Sequence, residues 1–278
     1  QRLHRIGEVL RAERPKNAPD IFRYLICLEG QRGVLEVLLD LLEGIEVPEN
    51  RALVCDVLAA LGKENQEAFT VRLNTDRSQT ARDLLYIIDK CDFPDKLKIF
   101  AQTMKSNNLA VKLECLAVIT RNKSEGSRKL VTEAINDPLP QVRMGAARAL
   151  ANYDREKAVV ELTKIIKSPD FEKREVPERN AFYAALGATN MPGALTHMQM
   201  LLQAKSNFLN RKKVVDEKLL AIKGLEAAQS LIAFKMLQTA YEDKNTEADV
   251  KQPLGRAMFN VKKALFGDPN ANPDLSKA

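Results

Sequence analysis

Histidine is the commonest general base and metal ligand among side chains, and the 278-residue chain holds only two, His4 and His197. His4 stands near the amino terminus. His197 lies among Leu195, Met198, Leu201 and Leu202, where helical spacing predicts a surface or boundary position. The four cysteines, Cys27, Cys55, Cys91 and Cys115, sit in apolar stretches with no Cys-x-x-Cys spacing. They are expected to be reduced core thiols of a cytoplasmic protein, not a zinc cage or a disulfide framework. Gly30-Gln31-Arg32-Gly33 joins two predicted helices, so it lacks the preceding strand that a phosphate-binding loop needs and reads as a turn. Ser124 to Ser127 reads as a helix start capped by Ser124, not as a nucleophile elbow. Acidic neighbours such as Glu172 with Glu175 and Glu242 with Asp243 lie among lysines and arginines and read as solvated faces. No catalytic set, metal site or cofactor is expected from these residues.

The elements that would hold these side chains are helical. Hydrophobic residues make up 45% of the chain and charged residues 29%, which fits a folded chain, and charge interrupts every apolar run before it could span a bilayer. The net charge of +6 favours encounter with acidic partners but falls short of a dedicated nucleic-acid binder. No run of alternating strand pattern is found. Helix pairs are predicted at 18–28 with 31–43, 49–61 with 64–73, 76–89 with 94–105, 108–120 with 124–136, 139–151 with 155–167, 175–187 with 192–204 and 212–224 with 227–241. A last helix is predicted near 247–265. The expected organisation is one domain over 1–266, of about seven helix pairs plus terminal helices, followed by a tail or linker over 267–278.

The pairs repeat one another. Residues 137–151 align without a gap over 106–120, placing Val142 on Val111, Arg143 on Lys112, Ala146 on Cys115 and Leu150 on Ile119. Arg179, Phe182, Ala185, Leu186 and Gly187 continue the series; Lys218, Ala221 and Leu225 keep its spacing, and Asp76 with Arg82 repeats the interval of Asp137 with Arg143. A period in this range marks stacked supersecondary units. The pattern resembles the HEAT repeat, the antiparallel helix pair of α-solenoids, most closely over residues 137–166. Ser106 and Lys173 stand where the family has Asp, and Lys112 and Lys218 where it has Arg.

The resemblance implies an all-α fold, an α-solenoid stacked from antiparallel helix pairs, and it implies an inter-repeat ladder. The matching positions are Asp76, Arg82, Lys112, Asp137, Arg143, Arg179 and Lys218, which we read as structural, with ligand binding as the alternative. It also implies that the second helix of each pair lines a concave side. There Lys98, Lys105, Arg128, Lys129, Lys157 and Lys164 form a candidate basic strip for a protein partner, such as an acidic segment or a neighbouring domain, although Glu133 and Glu161 interrupt it. Arg211-Lys212-Lys213 and Lys262-Lys263 read as clusters serving helix ends or solubility, and Phe100, Phe182 and Phe208 as packing residues. The expectation is therefore a non-catalytic scaffold for protein-protein interaction, not an enzyme. The alternatives are nucleic-acid binding, a HEAT-like DNA glycosylase and a bilin lyase. Scattered aromatics and the absence of Trp weigh against the glycosylase. The absence of a His-Glu pair weighs against the iron-dependent hydroxylases built from such repeats.

Overall fold

A computed structural model describes residues 2–12, 17–31, 33–73, 75, 77–91 and 93–268. Asp76 and the expected tail from residue 269 onward lie outside the described residues. Among the described residues the chain forms sixteen α-helices and two 3-10 turns, with no strand. It divides into two units, Gln1–Leu130 and Val131–Ala278.

The first unit contains α1 (Arg2–Ala12), α2 (Ala18–Ile26), α3 (Val34–Glu43), α4 (Pro48–Leu61), α5 (Gln66–Thr70), α6 (Ser78–Cys91), α7 (Lys96–Thr103) and α8 (Leu109–Arg121). The boundary between the units falls within α9 (Glu125–Ala134). The second unit holds α10 (Pro140–Tyr153), α11 (Arg155–Ile166), α12 (Val176–Ala188), α13 (Pro192–Leu202), α14 (Arg211–Ala228), α15 (Leu231–Glu242) and α16 (Ala248–Phe266). The predicted pairs are all present, with bounds moved by a few residues.

Local chemistry explains where the helices begin. Pro48, Pro140 and Pro192 occupy first-turn positions, where a missing N–H costs nothing and φ is already helical. Asn108, Asp154 and Ser230 cap α8, α11 and α15 by accepting from backbone amides one turn ahead, and Ser124 accepts from the Ser127 amide in the same way at 3.1 Å. Gly30 and Gly33 both take φ of +78°, so the glycine pair builds the turn before α3.

Within each unit the first helices of successive pairs pack on one another: α2, α4, α6 and α8 in the first, α10, α12, α14 and α16 in the second. Small residues permit this. Ala146, Ala147, Ala149 and Ala151 are all buried on α10. Between α12 and α14 the approach is closer still, because a Cβ on Gly187 would stand 1.8 Å from the Gly224 carbonyl oxygen. Phe69, Phe100 and Phe182 are fully buried and fill the space beneath the rows.

Two expectations about the core are corrected. Cys27 is exposed just beyond the end of α2, whereas Cys55 and Cys115 are buried and Cys91 is half-buried. Phe208 does not pack: it is 98% exposed on the loop between α13 and α14, beside Leu209 at 92%. Neither position belongs to a helix, so helical spacing does not govern it. Gly187→Ala is expected to lower unfolding free energy by about 1–3 kcal/mol, and Ala146→Leu by a similar amount, through overpacking. Denaturant titration of each variant checks this, with Gly193→Ala, whose Cβ would meet only Val159 at 3.8 Å, as the tolerant control.

Candidate functional site

Of the cations expected at the ladder positions, Arg82, Arg143 and Lys218 reach forward to carboxylates of the next repeat, and Arg51, which the repeat pattern did not mark, does the same. In the first unit Arg51 on α4 bonds to Asp83 on α6 through Nε, at 3.0 Å, and through Nη2. Arg82 on α6 forks onto Glu114 of α8 at 3.0 and 2.6 Å. In the second unit Arg143 on α10 forks onto Glu178 of α12 at 2.6 Å on both arms, and Lys218 on α14 meets Glu247 at the start of α16 at 2.8 Å. Asp137 meets Arg143 through its backbone. Its backbone carbonyl accepts from Nη1 of Arg143 at 2.8 Å, while its side chain caps the Leu139 amide. Lys112 is buried on α8. Arg179 leaves its Nε buried without a hydrogen bond.

Burial grades these contacts. Arg82 is more than half exposed, so its bridge adds about 1 kcal/mol at most. Glu178 is 2% exposed and also receives Arg174 at 2.8 Å. Burial pushes its carboxyl up, but the hydrogen bonds and charges of Arg143 and Arg174 outweigh that and hold it below the usual carboxylate range. Glu247 follows the same pattern, raised by burial and lowered further by Lys218. These carboxylates escape a reading that takes Asp76 and Asp137 as the anions of the inter-repeat ladder. The available signal is that Asp83, Glu114 and Glu178 each fall within two residues of Arg82, Lys112 and Arg179, the next cations of the row.

The candidate basic strip distributes differently. Lys98 and Lys105 both line a groove of about 780 Å³ in the first unit, bordered by Gln66, Thr70, Gln102, Ser106 and Asn107, with Leu73, Ile99 and Val111 at its floor. Lys98 is exposed and pairs with Asp95 one turn earlier on the rim, at 2.7 Å. Asn108 fixes the far wall: its Nδ2 donates to the Thr75 carbonyl at 3.3 Å while its Oδ1 caps α8. Arg128, which bonds to Glu125, and exposed Lys129 lie on α9 and do not line the groove. Lys157, beside Asp154, and exposed Lys164 belong to α11 of the second unit. The groove's uncharged amides carry no charge signal in the sequence.

His197 is half-buried and stacks on Tyr183 with ring centres 6.1 Å apart. Burial, with Lys167 nearby, pushes its pKa down, so it is neutral at physiological pH. Among the described residues no three His, Cys, Asp or Glu side chains converge as a metal site.

Helix pairs stacked through their first helices define an all-α solenoid architecture. Residues 97–176 match the family described as HEAT repeats, so this part of the chain carries HEAT repeats. By sequence it matches none of the curated proteins with which it was compared. Among solved structures it is similar to human deoxyhypusine hydroxylase in complex with glycerol, at 18% identity and a TM-score of 0.34, with 94% of this chain and 96% of that chain covered.

That similarity corrects the expectation of a non-catalytic scaffold, and with it the expectation that the chain is not an enzyme. A helical-repeat chain of nearly the same extent is an enzyme, so stacked helix pairs do not by themselves mark a protein as non-catalytic. The physical reason is that reacting groups can come from separate repeats, which linear spacing does not reveal. At this identity and TM-score the likeness assigns no chemistry to the present chain.

Glu178→Gln is expected to cost about 3 kcal/mol at neutral pH, because it leaves Arg143 and Arg174 without their buried counter-charge. Since the folded pKa of Glu178 lies below its unfolded value, the carboxylate's stabilisation is complete above the unfolded pKa and is lost as pH falls through the folded one. The stability gap between wild type and variant should therefore close in acid, as urea titrations across pH will read.

Proposed function

We propose that the chain recognises an acidic, extended protein segment in the groove lined by Lys98 and Lys105. HEAT repeats commonly mediate protein interactions. The observation that carries the finer reading is the meeting of two exposed lysines with the amides of Gln66, Gln102 and Asn107 over an apolar floor. Side-chain amides both donate and accept, so they can pair with the N–H and C=O groups of an extended backbone. The lysines add charge selection for Asp or Glu side chains. Lys98 already has a carboxylate partner, but that pair is exposed and lies within one helical turn. Such a contact is worth at most about 1 kcal/mol, so an incoming carboxylate replaces it at little cost.

Recognition of this kind serves a segment that is bound and released unchanged as well as one that is modified while held. The thiols of Cys27, Cys55, Cys91 and Cys115 are free, which supports a reducing, cytoplasmic setting for the encounter.

Selection of a phage-displayed library of random peptides on the immobilised chain tests the reading. Asp and Glu should be enriched in the retained peptides, and Lys98→Glu with Lys105→Glu should weaken binding of those peptides at least about tenfold with little change in melting temperature. Retained peptides without acidic bias, or capture unaffected by the double reversal, would overturn it.

A further inference from the structure

Phe208 and Leu209 form the most exposed apolar pair among the described residues. They stand at the tip of the loop joining α13 to α14, and that loop has a defined shape. Oδ1 of Asn207 accepts from the amides of Leu209 and Asn210, both at 3.0 Å, and Oδ1 of Asn210 accepts from the Asn207 amide at 2.6 Å. The Asn210 carbonyl then accepts from Val214 as α14 begins. Two reciprocal asparagines thus satisfy three amides of the turn from within. A turn facing water needs no such provision, because water supplies acceptors. A turn entering a medium without acceptors does need it.

Charge surrounds the tip. Lys205, Arg211, Lys212 and Lys213 are all exposed. Arg211 pairs with Asp249 at 3.3 Å and Lys213 with Glu172 at 2.8 Å. Lys205 and Lys212 have no ion-pair partner among the described residues. Arg211-Lys212-Lys213, read from the sequence as serving a helix end or solubility, stands at the start of α14. The three cations fill the first turn of α14, with no acidic residue there, where the helix dipole disfavours positive charge. This placement is unfavourable for the helix and favourable for a nearby anion. No helix of the described chain is long and apolar enough to cross a membrane.

We infer that this turn is a peripheral membrane anchor, in which Phe208 and Leu209 enter the interface of an anionic bilayer while Lys205 and Lys212 contact its headgroups. A protein pocket could also receive two apolar side chains, but it can supply its own acceptors, whereas the acyl region cannot. The apolar pair flanked by two cations without ion-pair partners among the described residues favours an anionic lipid surface. One short insertion with a few cations yields reversible, salt-sensitive binding, not permanent attachment.

The test is co-sedimentation of the full chain with vesicles of phosphatidylcholine alone and of phosphatidylcholine with phosphatidylserine. The chain should pellet with the anionic vesicles, less so as salt rises, and remain in solution with the neutral ones. Phe208→Ser with Leu209→Ser should lower partitioning at least about tenfold, as should Lys205→Glu with Lys212→Glu, with melting temperature unchanged in both. Because the chain has no Trp, Phe208→Trp adds a single indole whose emission should shift to the blue on anionic vesicles. If the wild type stays in solution with phosphatidylserine vesicles, or the indole emission does not move, the inference fails. Self-association that disappears in the serine variant, with no vesicle binding, would reassign the turn to a protein contact and equally overturn it.

Discussion

The direct packing of consecutive first helices is the constraint on which the remaining structure depends. Helices approach this closely only where side chains are nearly absent, as with Gly187 against Gly224 and the alanines of α10. Backbones brought so near exclude water from the seam, and the polar groups left there need partners. Arg143 with Glu178 and Lys218 with Glu247 supply them between α10 and α12 and between α14 and α16, whereas Arg179 on α12 keeps a buried Nε without a hydrogen bond. Arg51, Arg82, Arg143 and Lys218 each reach a carboxylate about one repeat ahead, at separations of 32, 32, 35 and 29 residues. Steric closeness and ion pairing therefore specify one alignment of neighbouring repeats. Burial decides the energetic weight of each contact, so Arg143 with Glu178 is a far stronger constraint than Arg82 with Glu114.

This division of labour leaves the other helices freer. With the first helices carrying the seam, the second helices need not pack as tightly on each other, and the space between α5 and α7 opens into the polar groove. The same logic assigns the charged residues two kinds of work. Glu178 and Glu247 lose access to water and owe their low pKa to fixed cations. Lys98 and Lys105 keep their access.

The sequence disclosed the helices because each buries one stripe, and that periodicity survives substitution: Cys115, Ala146 and Phe182 differ widely in size yet hold equivalent places. The same spacing marks Arg82, Arg143 and Lys218 but not Arg51. It did not disclose their partners, since Glu114 and Glu178 lie one repeat away and register between repeats is a tertiary property. The groove was half legible. Lys98 and Lys105 were marked by their charge, while Gln66, Gln102 and Asn107 carry none and converge only after folding. Phe208 departs from the expectation of packing because aromatic character alone does not imply burial. Outside a helix there is no period to test that inference, and the Asn207–Asn210 turn determines the outcome instead.

Both proposed surfaces use a loop that leads from the second helix of one pair to the first helix of the next. Residues Lys105 to Asn108 follow α7 and close one side of the groove; Lys205 to Asn210 follow α13 and carry the apolar tip. Helical repeats constrain their seam residues through neighbours on both sides, so change there disturbs packing twice over. The connecting loops lack that double constraint, and a repeat can vary them in length and chemistry without losing its stacking. Each loop is nevertheless held by asparagine: Asn108 ties the first to Thr75 and to α8, and Asn207 with Asn210 closes the second upon itself. A short amide side chain can replace either a backbone donor or a backbone acceptor. It thereby lends an irregular segment the definition that a helix derives from its own ladder. Binding elements can then be rigid without belonging to the repeat that supports them.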